Sequence, residues 1–309
     1  SFANKLGYNV LIEEHRGHVP QDTKRCESLL KKADIVFCEW CLGNAVWYSH
    51  HLERQQRLII RVHHQEMNLP YRYQLMWDNV GYIIFTGYTH FNNFRNQQSQ
   101  YAEKARLVFC DVDCNDLKRP KMPGVEFNLG FVGINPMRKR PDIAIEILTR
   151  LKQIDSRYTL FFKTKMPWEY DWLWRREEEK AYYNKLFALI KNGPLRNSIV
   201  FDSHGDDMAD WYTKIGWILS TSDHEGSHQA VAEGMASGAI PIIRNWEGAH
   251  PLYPEKYVFY SIEEAVDMIL EYRAPEKYIS ECKNAHLYTR KNFDINLIIK
   301  QYEELILKL

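Results

Sequence analysis

Short apolar runs alternate with amphipathic stretches along the whole chain. Residues 8–13, 34–39, 57–63, 80–86 and 106–110 are nearly continuous runs of this kind, the pattern of parallel strands covered on both faces. Helix-like segments lie between them at 21–32, 42–55, 68–77 and 88–101. Residues 118–124 (KRPKMPG) are dense in proline and charge and read as a linker. The alternation then restarts, with strands expected at 127–133, 158–163, 198–201, 216–220 and 240–243. Helices are expected at 141–153, 177–191, 206–212 and 227–237, and two or three more finish the chain. The pattern predicts an α/β protein of two doubly wound, Rossmann-like domains, 1–123 and 124–309, with a cleft between them. Residues 2–7 read as the end of a helix leading into the run at 8–13, so the first domain is expected to lack its opening strand.

Composition narrows the function classes. The 309 residues carry 40 basic and 40 acidic side chains, which argues against a dedicated nucleic-acid binder. A 45% apolar share with 26% charged residues excludes a wholly disordered chain. No apolar run approaches the roughly 18–20 residues that span a bilayer. Basic and acidic residues are interspersed and no long basic amphipathic helix stands out, which leaves peripheral membrane association open. The opening SFANK lacks a basic region followed by an apolar one, and six cysteines do not make a disulfide framework, so a cytoplasmic location is expected. Cys38 and Cys41 form C-x-x-C, and Cys110 and Cys114 form C-x3-C. Neither pair sits in a short ribbon with knuckle glycines, so buried free thiols are the better reading than zinc. An aromatic share of 14% suits cores, and also clefts that stack on sugars or bases.

The chemistry concentrates in residues 220–241, STSDHEGSHQAVAEGMASGAIP. A strand ends at Ser220, a polar turn follows, and a helix is expected to begin near Gly226 or Ser227. The N–H groups and positive dipole end there, with His228 among them, suit an anion such as a phosphate. Glu225 precedes the helix and Glu233 lies about two turns in, some 9 Å from Ser227 at about 1.5 Å per residue. A nucleotide sugar fits that separation, with sugar hydroxyls at Glu225, diphosphate on the N–H groups and ribose hydroxyls at Glu233.

The E-x7-E spacing followed by GMASGAIP resembles the retaining glycosyltransferases of family 4, which have the GT-B fold. The resemblance implies that Glu225 contacts the donor sugar and Glu233 the ribose. The loop in residues 130–142, GFVGINPMRKRPD, matches the family's diphosphate loop, with Gly133 as its glycine and Lys139 on its lysine position. Ile134 stands where the family has arginine, and Arg138 or Arg140 is a candidate to supply that charge. Fixed cations there would stabilise a leaving diphosphate without metal. His64, or its neighbour His63, in IRVHHQE would approach the donor sugar, with Glu66 a weaker candidate. Lys163 and Lys165 would reach the diphosphate or acceptor, and His204 and Gly205 the nucleotide base, with residues 244–248 near the base or sugar. The aromatic group Trp168, Tyr170, Trp172 and Trp174 either stacks on a sugar or packs a loop.

The resemblance spans about residues 34–270 and implies metal-independent transfer, with no cofactor, from a nucleotide diphosphate sugar to a glycan or other acceptor. Glu225, Lys139 and His64 would carry the chemistry, and the leaving phosphate would take the acceptor proton. The last helix, about 293–309, has an apolar stripe suited to crossing back to the first domain. A nucleotide-sugar epimerase and a non-catalytic GT-B binding module are the rival readings. Donor sugar, base, acceptor and oligomeric state are not selected by the sequence.

Overall fold

The computed structural model describes residues 7–15, 18–20 and 22–309, so the helix end expected at 2–7 falls mostly outside the described residues. The chain divides into two compact units, one of Ser1–Cys110 with Asn296–Leu309 and the other of Asp111–Ile295.

The first unit holds a parallel sheet in the order β1-β2-β3-β4, with β1 Ile35–Cys38, β2 Arg57–Val62, β3 Val80–Phe85 and β4 Ala105–Leu107. Its strands are largely apolar, Arg57, Arg61 and Arg106 apart, because successive side chains face two different cores. Leu58, Ile60, Ile83 and Phe85 pack with Cys26, Leu30, Ala45 and Phe94 on one side. Ile59, Tyr82 and Ile84 pack on the other with Ile298 and Tyr302, which belong to the helix Ile295–Ile306.

Two expectations for this unit fail. Residues 8–13 form no strand, and Leu11 and Ile12 are exposed: among the described residues no neighbouring strand completes a ladder with them. Residues 68–77 form no α-helix but the short 3-10 turns Pro70–Tyr73 and Trp77–Asn79. Leu75 and Trp77 are both buried, and a spacing of two would put them on nearly opposite faces of an α-helix.

The second unit holds a six-stranded parallel sheet, β10-β9-β8-β5-β6-β7. Its strands are β5 Asn128–Val132, β6 Thr159–Thr164, β7 Ile199–Ser203, β8 Trp217–Ser220, β9 Ile240–Arg244 and β10 Val258–Phe259. The chain builds outward from β5 through β6 to β7, then returns to the other side of β5 with β8. The boundary between β5 and β8 is therefore the switch point of the sheet, the usual place for a ligand in a doubly wound fold. Two glycines permit the close packing beneath it. A Cβ on Gly130 would lie 2.5 Å from Ile215 Cγ2, and one on Gly216 2.0 Å from the Val125 carbonyl oxygen.

The proline-rich segment is anchored in the second unit. Lys121 donates to the carbonyls of Tyr212 at 2.8 Å and Ile215 at 2.7 Å and to Ser237 Oγ at 2.9 Å, and Arg119 pairs with Asp116 and Asp210. The division between units accordingly falls ahead of this segment, at Cys110, rather than at residue 123. Among the described residues no helix is long and apolar enough to cross a membrane.

Candidate active site

The loops leaving β5 and β8 are stitched together at the switch point before any charge is counted. Asp223 N–H donates to the Arg138 carbonyl at 2.9 Å. Thr221 Oγ1 donates to the carbonyls of Lys139 at 3.0 Å and Arg140 at 2.7 Å. A 3-10 turn, Met137–Lys139, carries the cations, and Glu179 fixes its start by accepting from Met137 N–H at 2.9 Å.

Glu225 is the centre of the cluster. It is buried, and its Oε1 accepts from Lys139 Nζ at 2.6 Å and from Ser222 Oγ at 2.7 Å. Arg138 Nη1 stands 3.6 Å from Oε2 and donates to the His224 carbonyl at 2.6 Å. Burial works against the carboxylate, but the charges of His228, Lys139 and Arg138 outweigh it and hold Glu225 well below its ordinary range. His228 is itself pushed down to about 3 by burial and by Lys139, with Glu225 opposing. At neutral pH the imidazole is therefore uncharged and its charge acts on Glu225 only in acid, so Lys139 and Arg138 are the cations beside the carboxylate at neutral pH.

His228 shows what the turn is built for. Its backbone is left-handed, with φ 46°, at the residue before the helix Gln229–Ala236. Its Nδ1 lies 2.6 Å from Ser220 Oγ, while its buried Nε2 has no hydrogen-bond partner among the described residues. A buried polar atom without a partner is costly, and a ligand at the helix start would relieve that cost. The helix begins at Gln229, two residues later than the sequence pattern suggests, so Gly226 and Ser227 lie in the turn. Ser227 presents its carbonyl to Tyr253 Oη at 3.0 Å.

A second group of charges borders the first. Asp223 accepts from Arg140 Nη1 at 3.1 Å and pairs with Arg244, and Arg140 also holds Asp142 at 2.8 Å. Glu233, within the helix Gln229–Ala236, accepts from Tyr212 Oη at 3.4 Å, and burial pushes its carboxyl above the ordinary value.

The remaining second-unit candidates are spread along the neighbouring strands. Gly133, with φ 71°, opens the β5 loop in a conformation that favours glycine, and its N–H donates to the Lys163 carbonyl at 2.9 Å. Ile134 is fully buried, and its carbonyl accepts from Tyr183 Oη at 2.8 Å, so that position serves the core. Lys163 is buried with its Nζ 2.6 Å from Asp207, which commits the cation to a carboxylate. His204 is exposed, and its backbone N–H donates to Thr164. Trp168 packs on Trp174 and Phe187 while remaining half exposed, and Trp172 lies under Arg176.

In the first unit, His64 Nδ1 faces His90 Nε2 at 2.8 Å, so one ring donates and the other accepts. His63 lies over Trp40 and pairs with Glu39 at 2.9 Å. Glu66 is buried beneath them, accepts from the N–H groups of Cys41 and His63, and is pushed up to about 7 by burial. It fixes the loop. All six cysteines are free thiols, and among the described residues neither cysteine pair belongs to a group of three ligand side chains.

Ser222 and Asp223 were within the informative segment but gave no separate signal, because their roles depend on the β5 loop facing them. His90 lies 26 residues from His64 and has no local signature.

No family model matches the chain, and no curated protein does. Solved structures do. HepE of Anabaena, in complex with UDP and glucose, superposes with a TM-score of 0.74 at 16% identity, covering 93% of this chain and 81% of its own. A glycosyltransferase from Rickettsia africae gives 0.69 at 16% identity, over 98% and 85%. Sucrose-phosphate synthase from Thermosynechococcus elongatus gives 0.69 at 15%, over 92% and 76%. The likeness establishes the fold: this chain has the GT-B architecture of two α/β units with parallel sheets.

Proposed function

We propose that the protein is a glycosyltransferase that moves a sugar, with retention, from a nucleotide diphosphate sugar to a glycan acceptor. The observation that carries this reading is the cluster at the β5/β8 switch point. A cationic turn, a buried ionised glutamate and a buried imidazole whose Nε2 has no hydrogen-bond partner among the described residues meet at the start of one helix. A diphosphate there would draw Lys139 and Arg138 toward its oxygens and accept from the helix N–H groups. Glu225, already ionised, would take hydrogen bonds from sugar hydroxyls. Glu233 would hold the ribose through the same carboxylate chemistry.

 The leaving phosphate would take the acceptor proton, so no protein base is needed. Arg138 and Lys139 would supply the positive charge that a metal ion would otherwise bring to the leaving group. HepE was solved with UDP and glucose, which makes a uridine diphosphate sugar the first donor to try.

The test is transfer from labelled nucleotide sugars to a panel of saccharide acceptors, with the anomeric configuration of the product read by NMR. Product with the donor's configuration, formed at the same rate with and without added magnesium, is the expected result. Inverted product would overturn retention. Interconversion of the sugar on its own nucleotide would mark an epimerase, and donor binding without transfer or hydrolysis would mark a binding module.

A further inference from the structure

A second group of chemically active side chains lies in the first unit, outside every residue assigned to the donor site. Glu13, His15 and Cys26 each bring one ligand atom within 4.8 Å of the others. Cys26 Sγ donates to Glu13 Oε1 at 3.0 Å, and His15 Nε2 stands 3.3 Å from Glu13 Oε2. Tyr48 Oη donates to the same Oε2. Cys26 is fully buried, and the side chains of His15 and Glu13 are only 12% and 11% exposed. Glu13, His15 and Tyr48 also line a cavity of about 270 Å³, together with Leu11, Leu30 and Phe37.

We propose that Glu13, His15 and Cys26 form a binding site for one zinc ion, with Tyr48 orienting the Glu13 carboxylate. The donor set is one thiolate, one imidazole and one carboxylate, a combination that suits a borderline-soft divalent ion better than magnesium or calcium. Ligand atoms about 2.0–2.3 Å from a tetrahedral zinc stand about 3.5 Å apart. Cys26 and His15 lie 3.0 and 3.3 Å from different oxygens of Glu13, and one ligand atom from each residue lies within 4.8 Å of the others, so turning the carboxylate and small side-chain shifts bring the three onto one ion. Binding replaces the Cys26 thiol proton with the metal and releases that proton to solvent. Three protein ligands leave a fourth position, which a water molecule in the cavity fills.

The site has a structural consequence. Residues 8–13 pair with no strand among the described residues, yet Glu13 is joined to Cys26 on the helix Thr23–Leu30 and to Tyr48 on the helix Gly43–His51. A metal ion at this junction ties the segment to both helices, as a ladder would otherwise do.

The test reads metal directly and does not depend on transfer activity. The full chain is loaded with zinc, dialysed against metal-free buffer and assayed by mass spectrometry for bound metal. A parallel sample receives cobalt(II), whose absorption reports sulfur ligation. One zinc per chain and a thiolate-to-cobalt charge-transfer band are expected. Cys26→Ser should abolish the band, and His15→Asn should weaken zinc binding at least tenfold while circular dichroism stays unchanged. His15→Asn decides the matter if Cys26→Ser does not fold. Substoichiometric zinc in the wild type, a cobalt spectrum without the thiolate band, or undiminished zinc affinity in folded His15→Asn would overturn the proposal.

Discussion

Replacing Lys139 by methionine removes the closest cation from a buried carboxylate. Lys139 Nζ is 2.6 Å from Glu225 Oε1, with side-chain exposures of 15% and 7%. Stranding one charge of a buried pair costs about 3–5 kcal/mol. Arg138 at 3.6 Å and Ser222 at 2.7 Å continue to compensate Glu225, which lowers the expected cost to about 2–3 kcal/mol. At about 2–4 °C per kcal/mol for a unit of this size, its melting temperature falls by about 4–12 °C. Glu225→Gln in the same background removes the stranded charge and recovers part of the loss. The assay is a double-mutant cycle on the full chain, with hydrogen exchange in peptides from β8 reporting the second unit. A coupling of about 1–2 kcal/mol is expected. Additive effects, with coupling under about 0.5 kcal/mol, would refute the claim that these two side chains form the buried centre of the cluster.

Three further outcomes follow from the same geometry. His228 has a folded value of about 3 against an ordinary 6.5, so the unfolded chain binds its proton first and stability falls as pH drops through that window. The slope is about 1.4 kcal/mol per pH unit, and His228→Asn, which tolerates the left-handed backbone, should flatten that acid limb in unfolding measurements. Gly216→Ala should cost at least about 3 kcal/mol, because its Cβ would lie 2.0 Å from the Val125 carbonyl, whereas Gly133→Ala meets open space and costs about 1–2 kcal/mol of left-handed strain. Thermal melts of the two variants should rank in that order. Glu233→Ala should weaken nucleotide binding about tenfold or more, while Glu225→Ala should reduce transfer more than nucleotide affinity. Wild-type binding and kinetics in both would remove the site assignment.

The sequence made the architecture legible because its strands are short, apolar on both faces and separated by helical spacing. The β5 and β8 loops were legible for a different reason: Lys139, Glu225 and Glu233 lie in two short segments with distinctive neighbours. What stayed hidden depends on contacts between distant segments. Nothing local shows that Ser222 would share Glu225 with Lys139, or that Asp223 would pair with both Arg140 and Arg244. The run at 8–13 misled because a nearly continuous apolar run describes what a strand would bury, and not whether a partner strand is there to receive it. Val258–Phe259 was missed because two residues carry no period at all.

The central claim is that the second unit holds a nucleoside diphosphate at the β5/β8 switch point. Titration calorimetry of the full chain with UDP and other nucleoside diphosphates, repeated with Lys139→Met and Glu233→Ala, tests it most directly. The account predicts saturable binding of one nucleotide per chain, weakened about tenfold or more by each substitution. Failure of every nucleoside diphosphate to bind, or binding that neither substitution changes, would contradict it.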